Sequence, residues 1–532
     1  MNDRVRQNNN IKSIRGDGVT EKWKKGCVGA ALFLGLLLAG CGKGSSDTAS
    51  NAGADTASET VESTTEFVRT LVTSVEAENG KMLGGAKAES GEGSEYSGSG
   101  YAGNIAKDGD GVTISFSIAE AGFYDLDFYC AMPTGYKENY VSVDNDKIGT
   151  IAGDHKKVEA STIPHVWLEK GEHTATVEKY WGFVNVDKLE VMTGAPFDTS
   201  LYDVEPKLTD AKASTNAKRL YQYLKDNYGR NIISGQYCAG GIYGHEMAIL
   251  KKVTGKFPAM VGLDMMEYSP SAVKNGTRGT SIEKAIEAWE NNSIVTMCWH
   301  WDAPSEYVTG TWYSAFYKEH TNIDLDKIMS GQDQKGYDLL VSDMDAIAKE
   351  LTKLRDADVP VLWRPLHEAS GGWFWWGNCS AESYIKLYRL MHEKFTNEYE
   401  LHNLIWVWNG QSSDWYPGDE VVDIMGTDIY PGERVYTSQY PKFMEVAGAT
   451  EKHKIITLSE NGCHFDPDLA IRDGAMWSYF GTWSGEFIAA SETMNYYSDQ
   501  YTEEEMLKKV YDHEHVITRD ELPVLAEYST GE

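Results

Sequence analysis

Basic, imidazole and carboxyl side chains crowd together in this sequence where a short apolar run stops. The run Val361–Trp363 is followed at once by Arg364, and His367 and Glu368 come within the next four positions. Two glycines and then four consecutive aromatic residues occupy positions 371–376. A continuous apolar run of this kind is typical of a buried parallel strand. We therefore expect ionisable groups at a strand tip, beside a wall of indole rings that suits the flat apolar faces of a sugar.

Length and charge bound the number of domains and the kind of partner. The chain has 532 residues, more than one hydrophobic core normally supports, so two or three units are expected. Its formal net charge of -31 argues against a nucleic-acid partner, because phosphate binding requires clustered lysine and arginine. A neutral substrate agrees better with this composition.

The first forty residues have the pattern of an export signal. A basic segment ending at Lys25 precedes the apolar run Val28–Leu38, and the sequence LAGC closes at Cys41. This ending resembles the lipobox of bacterial lipoproteins, which implies that residues 1–40 are a signal peptide and that Cys41 is acylated. The alternatives are an ordinary signal peptide or a plain membrane anchor, but the run is short for a spanning helix. We expect an exported, cell-surface or membrane-anchored lipoprotein.

A polar segment follows the signal. Residues 41–71 are rich in serine, threonine, glycine, alanine and acidic residues, so they predict a flexible linker. Beyond it the cysteines are odd in number and lack the paired spacing of a zinc site. We expect most of them to be buried free thiols and leave a pairing of Cys379 open; they are Cys130, Cys238, Cys298, Cys379 and Cys463.

Residues 72–194 contain short runs with alternating apolar and polar side chains. Turns rich in glycine and aspartate separate these runs, which predicts an antiparallel β-sandwich of jelly-roll size. The predicted strands are 112–116, 122–129, 140–143, 174–178 and 184–191.

Several short motifs of this region resemble carbohydrate-binding modules of families 6 and 35. They are VEAE at 75–78, YSGSGY at 96–101, AGFY at 121–124 and VNVD at 184–187. The resemblance implies a structural calcium held by Glu76, Glu78 and Asp187, and oxygen ligands suit that ion. It also implies that the ring of Trp181 stacks on a sugar. The alternatives are carboxylates without a metal, and a tryptophan that belongs to the core.

After a linker at 195–212, residues 213–532 alternate between strand-like and helix-like segments. Eight apolar runs alternate with helical patterns over about three hundred residues, which predicts a (β/α)8 barrel. A doubly wound sheet would need a glycine-rich phosphate turn after an early strand, and no such turn is present. The runs are Asn231–Gln236, Ala259–Asp264, Ile294–Trp301, Val359–Arg364, Leu404–Trp408, Ile424–Tyr430, Ile455–Glu460 and Trp477–Trp483.

The carboxyl ends of barrel strands form the active site of this fold, so the polar residues there predict the site. Glu368 follows the fourth run and Glu460 ends the seventh. Strands four and seven face each other across the barrel, so the two carboxyl groups can converge. Glycosidases that retain configuration hold an acid/base and a nucleophile about 5–5.5 Å apart. The pair therefore predicts cleavage of a glycosidic bond.

The motifs WRPLHE at 363–368, GGWFWW at 371–376 and SENG at 459–462 resemble glycoside hydrolase family 26. The likeness covers about residues 216–486. It implies a retaining endo-β-1,4-mannanase that acts on mannan, galactomannan or glucomannan by double displacement, with Glu368 as acid/base and Glu460 as nucleophile. Residue 367 is histidine where many related barrel glycosidases have asparagine, and this too is a feature of family 26.

The other strand-end residues have expected supporting functions. Arg364 and Tyr430 can hold Glu460 in its ionised form, and Asp428 can orient Arg364 or bind sugar hydroxyls. His300 and His367 offer ring nitrogens to hydroxyl groups. Sugar faces can stack on Trp373 and Trp483, whereas we expect Trp375 to be a packing residue.

The motifs leave the sugar specificity open. A family 26 β-glucanase acting on mixed-linkage glucan, or a xylanase, would share them, and a surface polysaccharide-binding protein is the alternative without catalysis. A metal at His300, Asp302, His367 and Glu368 is disfavoured, because no HExxH or comparable spacing is present. We expect a monomer that needs no cofactor for catalysis.

Overall fold

The computed structural model describes residues 67–91, 95–491 and 496–531. The predicted signal peptide 1–40, Cys41 and most of the predicted linker 41–71 lie outside these residues. Within the described ranges no helix is both long and apolar enough to cross a membrane. The chain divides into two compact units, which adjoin in sequence at Pro196 and Phe197.

The first unit is a β-sandwich of antiparallel strands. Its strands are β1 (Leu71–Glu76), β2 (Lys81–Leu83), β3 (Lys87–Ser90), β4 (Gly100–Ile105), β5 (Gly111–Ile118), β6 (Gly122–Ala131), β7 (Lys137–Val143), β8 (Asp146–Gly153), β9 (Glu159–Leu168), β10 (Gly171–Lys179) and β11 (Val184–Thr193). One sheet has the order β3-β4-β11-β6-β9 with β1 beside β11, and the other has the order β2-β5-β10-β7-β8. All five predicted strands fall within these elements.

Alternation of side chains explains the sandwich. Along β5 the residues Val112, Ile114, Phe116 and Ile118 are buried, while the residues between them are wholly or partly exposed. A strand with one apolar face must bury that face against a second sheet. The apolar faces of the two sheets therefore form one core.

The second unit is a closed barrel of eight parallel strands. Its strands are β13 (Gly235–Tyr237), β14 (Met260–Asp264), β15 (Ile294–Cys298), β16 (Val361–Arg364), β17 (Leu404–Trp408), β18 (Ile424–Ile429), β19 (Ile455–Asn461) and β20 (Phe480–Thr482), and a separate parallel pair joins β12 (Ile232–Ile233) to β21 (Val516–Ile517). The helices are α1 (Thr215–Asn227), α2 (His245–Thr254), α3 (Pro270–Lys274), α4 (Ser281–Glu290), α5 (Leu325–Met329), α6 (Gln334–Asp356), α7 (Ala381–Glu393), α8 (Tyr440–Ala447), α9 (Pro467–Asp473) and α10 (Glu504–Asp512).

The structure corrects the limits of the first and last predicted barrel strands. The first predicted run divides between β12, which pairs outside the barrel, and β13, which extends to Tyr237. The last predicted run shortens to β20, because Trp477 packs on Phe443 and donates its indole N–H to the carbonyl of Ser438. Burial of a large ring with a satisfied N–H outweighs its propensity for a strand here.

Helix α6 shows how the outer layer packs. Its residues Leu340, Met344, Ile347, Leu351 and Leu354 recur at helical spacing and are all buried. The cysteines of the described residues are free thiols, and Cys379 alone among them is partly exposed.

Candidate active site

The predicted site residues come together at the carboxyl ends of five barrel strands, one of which is β20, followed by Trp483. Each strand is buried, and the polar side chains of the site lie at its carboxyl end or just beyond it, as is usual for this barrel. His300 follows β15, Arg364 ends β16 and precedes His367 and Glu368, Asp428 and Tyr430 lie at the end of β18, and Glu460 lies in β19.

Three carboxylates meet in this mouth. Single carboxyl oxygens of Glu368, Asp428 and Glu460 all lie within 4.8 Å of one another. Glu368 is 2% exposed and Glu460 is 3% exposed, so both are shielded from bulk water. This spacing is close to the separation used by retaining glycosidases, and it leaves too little room for the extra water of an inverting enzyme.

Arg364 holds the group together. Its guanidinium is fully buried and donates to a carboxyl oxygen of Glu460, to Asp428 Oδ2 at 2.9 Å and to the hydroxyl of Tyr237 at 3.3 Å. The hydroxyl of Tyr430 donates to the other oxygen of Glu460 at 2.6 Å. The expected contacts of Arg364 and Tyr430 are therefore present, and Asp428 orients the arginine. A carboxylate with two such donors is stabilised in its ionised form.

Glu368 has a different environment. The indole N–H of Trp373 donates to its Oε2 at 2.9 Å, whereas Oε1 is buried and has no hydrogen-bond partner among the described residues. The backbone of Glu368 is left-handed, with φ 55°. Non-glycine residues in this conformation are uncommon and concentrate at functional sites. The arrangement leaves one oxygen free to hold a proton for an incoming group.

The two glutamates differ in pKa for identifiable reasons. Burial, with Asp428 and Glu460 nearby, raises the pKa of Glu368 well above its usual value. Burial and Asp428 raise the pKa of Glu460 to about 7, although Arg364, Tyr430 and His300 oppose that rise. Glu460 is therefore the easier of the two to ionise, and Glu368 is the one that keeps its proton. This is the division between nucleophile and general acid.

Two histidines stand beside these carboxyl groups. The Nε2 atoms of His300 and His367 lie 3.1 Å apart. Asp264, the last residue of β14, lies 2.6 Å from Nδ1 of His300 through its Oδ2. Both imidazoles are thus fixed by contacts within the protein.

Aromatic rings complete the mouth. The ring of Trp483 lies 4.8 Å from that of Tyr237 and 5.7 Å from that of His300. Trp375 and Trp376 are buried and donate their indole N–H groups to the carbonyls of Trp301 and His367. Trp375 is thus a packing residue as expected. Trp373, which was expected only to stack on sugar, also binds Glu368.

Asp264, Tyr237 and Phe374 also lie at the mouth, although they were not predicted as site residues. Asp264 and Tyr237 end barrel strands, so the rule that found the other residues also applies to them once the limits of the strands are known. Phe374 was within the aromatic wall but had no assigned function. Its ring stacks on Trp376 at 4.6 Å and meets His300 edge-on at 5.4 Å.

The predicted site residues of the first unit also have definite contacts. The turn at Ser97–Ser99 donates to Glu76, Glu78 and Asp187. Trp181 is partly buried, and its ring meets that of Tyr136 edge-on at 5.7 Å. The structure therefore brings the three acids to one turn, and it places Trp181 between surface and core.

An eight-stranded barrel with two buried, closely spaced glutamates at its mouth defines a glycoside hydrolase. The sequence model of glycosyl hydrolase family 26 matches residues 209–521. The chain belongs to glycosyl hydrolase family 26. The model of carbohydrate binding module family 35 matches residues 73–194.

Known relatives share both units. A mannan endo-1,4-β-mannosidase of Thermothelomyces thermophilus is 37% identical over 85% of this chain and 91% of its own length. Mannan endo-1,4-β-mannosidase B of a Piromyces species is 34% identical over 84% of this chain and 77% of its own length. The crystal structure of a Podospora anserina GH26-CBM35 β-(1,4)-mannanase superimposes on this chain with a TM-score of 0.61. The two sequences are 33% identical, and the match covers 86% of this chain and 99% of the Podospora anserina chain.

Proposed function

We infer that this protein is an endo-acting mannan 1,4-β-mannosidase that works with retention of configuration. The observation that carries this conclusion is the approach of Glu368 and Glu460 to within 4.8 Å in the barrel mouth of a family 26 chain. Two relatives that match over nearly their full length are named as a mannan endo-1,4-β-mannosidase and a β-(1,4)-mannanase. The substrate class is mannan, galactomannan or glucomannan.

The geometry supports a double displacement. Glu460 attacks the anomeric carbon and forms a glycosyl ester, while Glu368 gives its proton to the departing glycosidic oxygen. Glu368, now a carboxylate, then takes a proton from a water molecule that attacks the anomeric carbon and releases Glu460. Arg364 and Tyr430 stabilise the ionised nucleophile before each cycle.

The remaining mouth residues would bind the sugar. We assign hydroxyl contacts to His367 and Asp428, and stacking to Trp373 and Trp483. The expected hydroxyl contact of His300 is not kept, because its Nδ1 faces Asp264 and its Nε2 faces His367. Aromatic rings beside hydrogen-bonding groups are the usual composition of a small-molecule site. Catalysis needs no cofactor in this scheme, because the two carboxyl groups supply both the nucleophile and the acid.

Substrate comparison tests the assignment of mannan. Reducing-sugar release is measured on galactomannan, mixed-linkage β-glucan and xylan under equal conditions. We expect release from galactomannan to exceed the other two by about a hundredfold or more. Activity only on β-glucan or xylan would refute the mannanase assignment while leaving the glycosidase intact.

Two variants test the carboxylates separately. Glu460→Gln should lower kcat about a thousandfold or more on every substrate, because it removes the nucleophile. Glu368→Gln should cost far less on an aryl mannoside with a good leaving group than on mannan, since that leaving group needs no proton. An unchanged rate for Glu460→Gln would refute the scheme.

For the first unit we propose a sugar-binding module with a structural calcium. Glu76, Glu78 and Asp187 would hold the ion, and a buried Oε2 of Glu78 that has no partner among the described residues supports this fit. All the donors are oxygen atoms, which suits calcium. Chelation should lower the melting temperature of this unit, and an unchanged value on addition of EDTA would refute the metal.

For the N-terminus we propose export and lipidation at Cys41. The support is the sequence alone: a basic segment, an apolar run and LAGC. Labelling cells with a radioactive fatty acid should mark the wild-type protein and leave Cys41→Ala unlabelled. Equal labelling of both would refute this site.

A further inference from the structure

Asp264 is a carboxylate at the barrel mouth that the mechanism above does not use. Its Oδ2 lies 2.6 Å from Nδ1 of His300, and its Oδ1 accepts the backbone N–H groups of His300 at 3.1 Å and Met266 at 2.8 Å. Burial opposes its ionisation, but His300 and these N–H groups outweigh burial and lower the pKa of Asp264. An ionised carboxylate only accepts, so Nδ1 of His300 must carry a proton.

The other nitrogen of His300 meets a second imidazole. Its Nε2 lies 3.1 Å from Nε2 of His367, with the ring planes at 84°. Two ring nitrogens at this distance form one hydrogen bond, so one of them carries the proton and the other accepts it. His367 is only 1% exposed, and burial together with Arg364 and His300 lowers its pKa well below the usual value. His367 is therefore the neutral member of the pair.

The charges around His300 decide whether the proton of this hydrogen bond belongs to His300 or to His367. Burial and Arg364 disfavour a cation on His300, but Asp264 and Glu460 outweigh them and raise its pKa. His367 faces it from β16 without charge, and the thiol of Cys298 lies 4.0 Å from Nδ1. Among the described residues, the other rings in contact with His300 are uncharged and aromatic; they are Phe316, Phe374 and Trp483.

With His300 as the donor, the tautomer of His367 is also determined. His367 accepts at Nε2 and carries its own proton on Nδ1, which is buried and has no hydrogen-bond partner among the described residues. A buried N–H without a partner costs free energy unless something binds it. A hydroxyl oxygen of the bound sugar would supply that acceptor.

We propose that Asp264 is a positioning residue that keeps His300 as an imidazolium, so that a fixed positive charge faces Glu460 and His367 offers its Nδ1–H to the sugar. The proposal rests on the function proposed above, because it assigns these charges to the same site. It differs from a purely structural role in setting a protonation state.

Kinetics give the first test. Asp264→Asn keeps the shape of the side chain but removes the charge that holds the imidazolium. Without that cation the nucleophile is harder to ionise, so the acidic limb of the kcat/KM profile should move up by about one pH unit. The matched control is Asp343→Asn, which also exchanges an aspartate of this unit for its amide and should leave the limb in place.

A spectroscopic readout does not depend on hydrolysis. In the full-length protein labelled with 15N-histidine, the His300 signals, assigned with His300→Gln, should show both ring nitrogens protonated at pH 7. Asp264→Asn should convert them to a neutral ring. A neutral His300 in the wild type would overturn the proposal even if Asp264→Asn does not fold. An unmoved limb in a folded variant, or a moved limb with unchanged signals, would overturn it too. An inactive protein with a protonated His300 would refute only the function.

Discussion

The two glutamates at the barrel mouth are distinguished by the residues that donate to their carboxyl oxygens. One carboxyl oxygen of Glu460 accepts from a guanidinium and the other accepts from a tyrosine hydroxyl. One oxygen of Glu368 accepts an indole N–H, and the other is buried without a hydrogen-bond partner among the described residues. In the proposed mechanism the same side chain therefore acts as a nucleophile at one position and as an acid at the other. Hydrogen bonds to the charged form, set against burial, produce this difference.

Trp373 should set the basic limb of the pH profile. Its N–H stabilises the ionised form of Glu368, so Trp373→Phe should raise the pKa of that acid further while keeping an aromatic face for the sugar. We expect the basic limb of kcat/KM to move up by about one pH unit. The measurement is a pH profile on a soluble manno-oligosaccharide.

Trp483→Phe is the control for Trp373→Phe. Trp483 also lines the mouth, but the contact of its ring is with Tyr237 and His300 rather than with Glu368. It should raise KM without moving the basic limb. Equal shifts in both variants would mean that Trp373 acts only through stacking.

At the scale of elements, the chain bends sharply just after β16. The bend brings the indole of Trp373 into contact with the carboxyl group of Glu368. Leu366 and Glu368 are both left-handed, with φ 52° and 55°. A Cβ at Gly371 would lie 2.0 Å from the Trp373 ring, so only glycine admits the indole at this point. Gly372 is left-handed with φ 66°, a conformation that favours glycine, so both glycines before the aromatic run have a geometric reason.

Helix α6 contains a carboxyl group that should make stability depend on pH. Asp343 is buried and accepts the indole N–H of Trp301 at 2.9 Å, and burial raises its pKa to about 7. The unfolded chain ionises this group near pH 4, so the folded state holds the extra proton between about pH 4 and 7. The contribution of Asp343 therefore falls as pH rises through this window, by up to about 4 kcal/mol.

Asp343→Asn should remove this fall in the free energy of unfolding with pH, because an amide oxygen accepts the same hydrogen bond without charge. We expect urea unfolding to show the variant more stable than the wild type at pH 8 by a few kcal/mol, and nearly equal to it at pH 4. Asp423→Asn is the contrast. Asp423 accepts two backbone N–H groups and the Thr209 hydroxyl, so an amide would be destabilising there. A Asp343→Asn variant that is less stable at pH 8 would contradict this account.

At the scale of the whole molecule, binding and cleavage belong to separate units, each with its own core. Trp181→Ala in the full chain should weaken binding to insoluble mannan about tenfold and leave kcat on soluble oligosaccharides unchanged. Pull-down and product release measure the two effects. Trp167→Ala, which changes a partly buried tryptophan of strand β9 in the same unit, is the control. Equal loss in both variants would place the sugar elsewhere on the module.

Local patterns in the sequence were sufficient to predict the fold and the position of Glu368 and Glu460 at the barrel mouth. Period-two alternation predicts the sandwich, and eight apolar runs separated by helical patterns predict the barrel, because burial alone dictates both patterns. The strand-end rule then finds Glu368, Glu460 and Arg364, since every barrel strand releases its polar residues on the same side. The family motifs around those residues indicate the reaction.

Only the tertiary structure decided how the site residues are paired. Three contacts show this; they are Asp264 with His300, His300 with His367, and Trp373 with Glu368. The first two join residues that follow or end different strands, and the third joins two residues of the loop after β16. No spacing along the chain encodes them, because they depend on strand limits, on backbone bends and on which side chains meet inside a closed barrel. Protonation states follow from those contacts and from burial, so the chemistry of each carboxyl group and imidazole is a property of the folded protein.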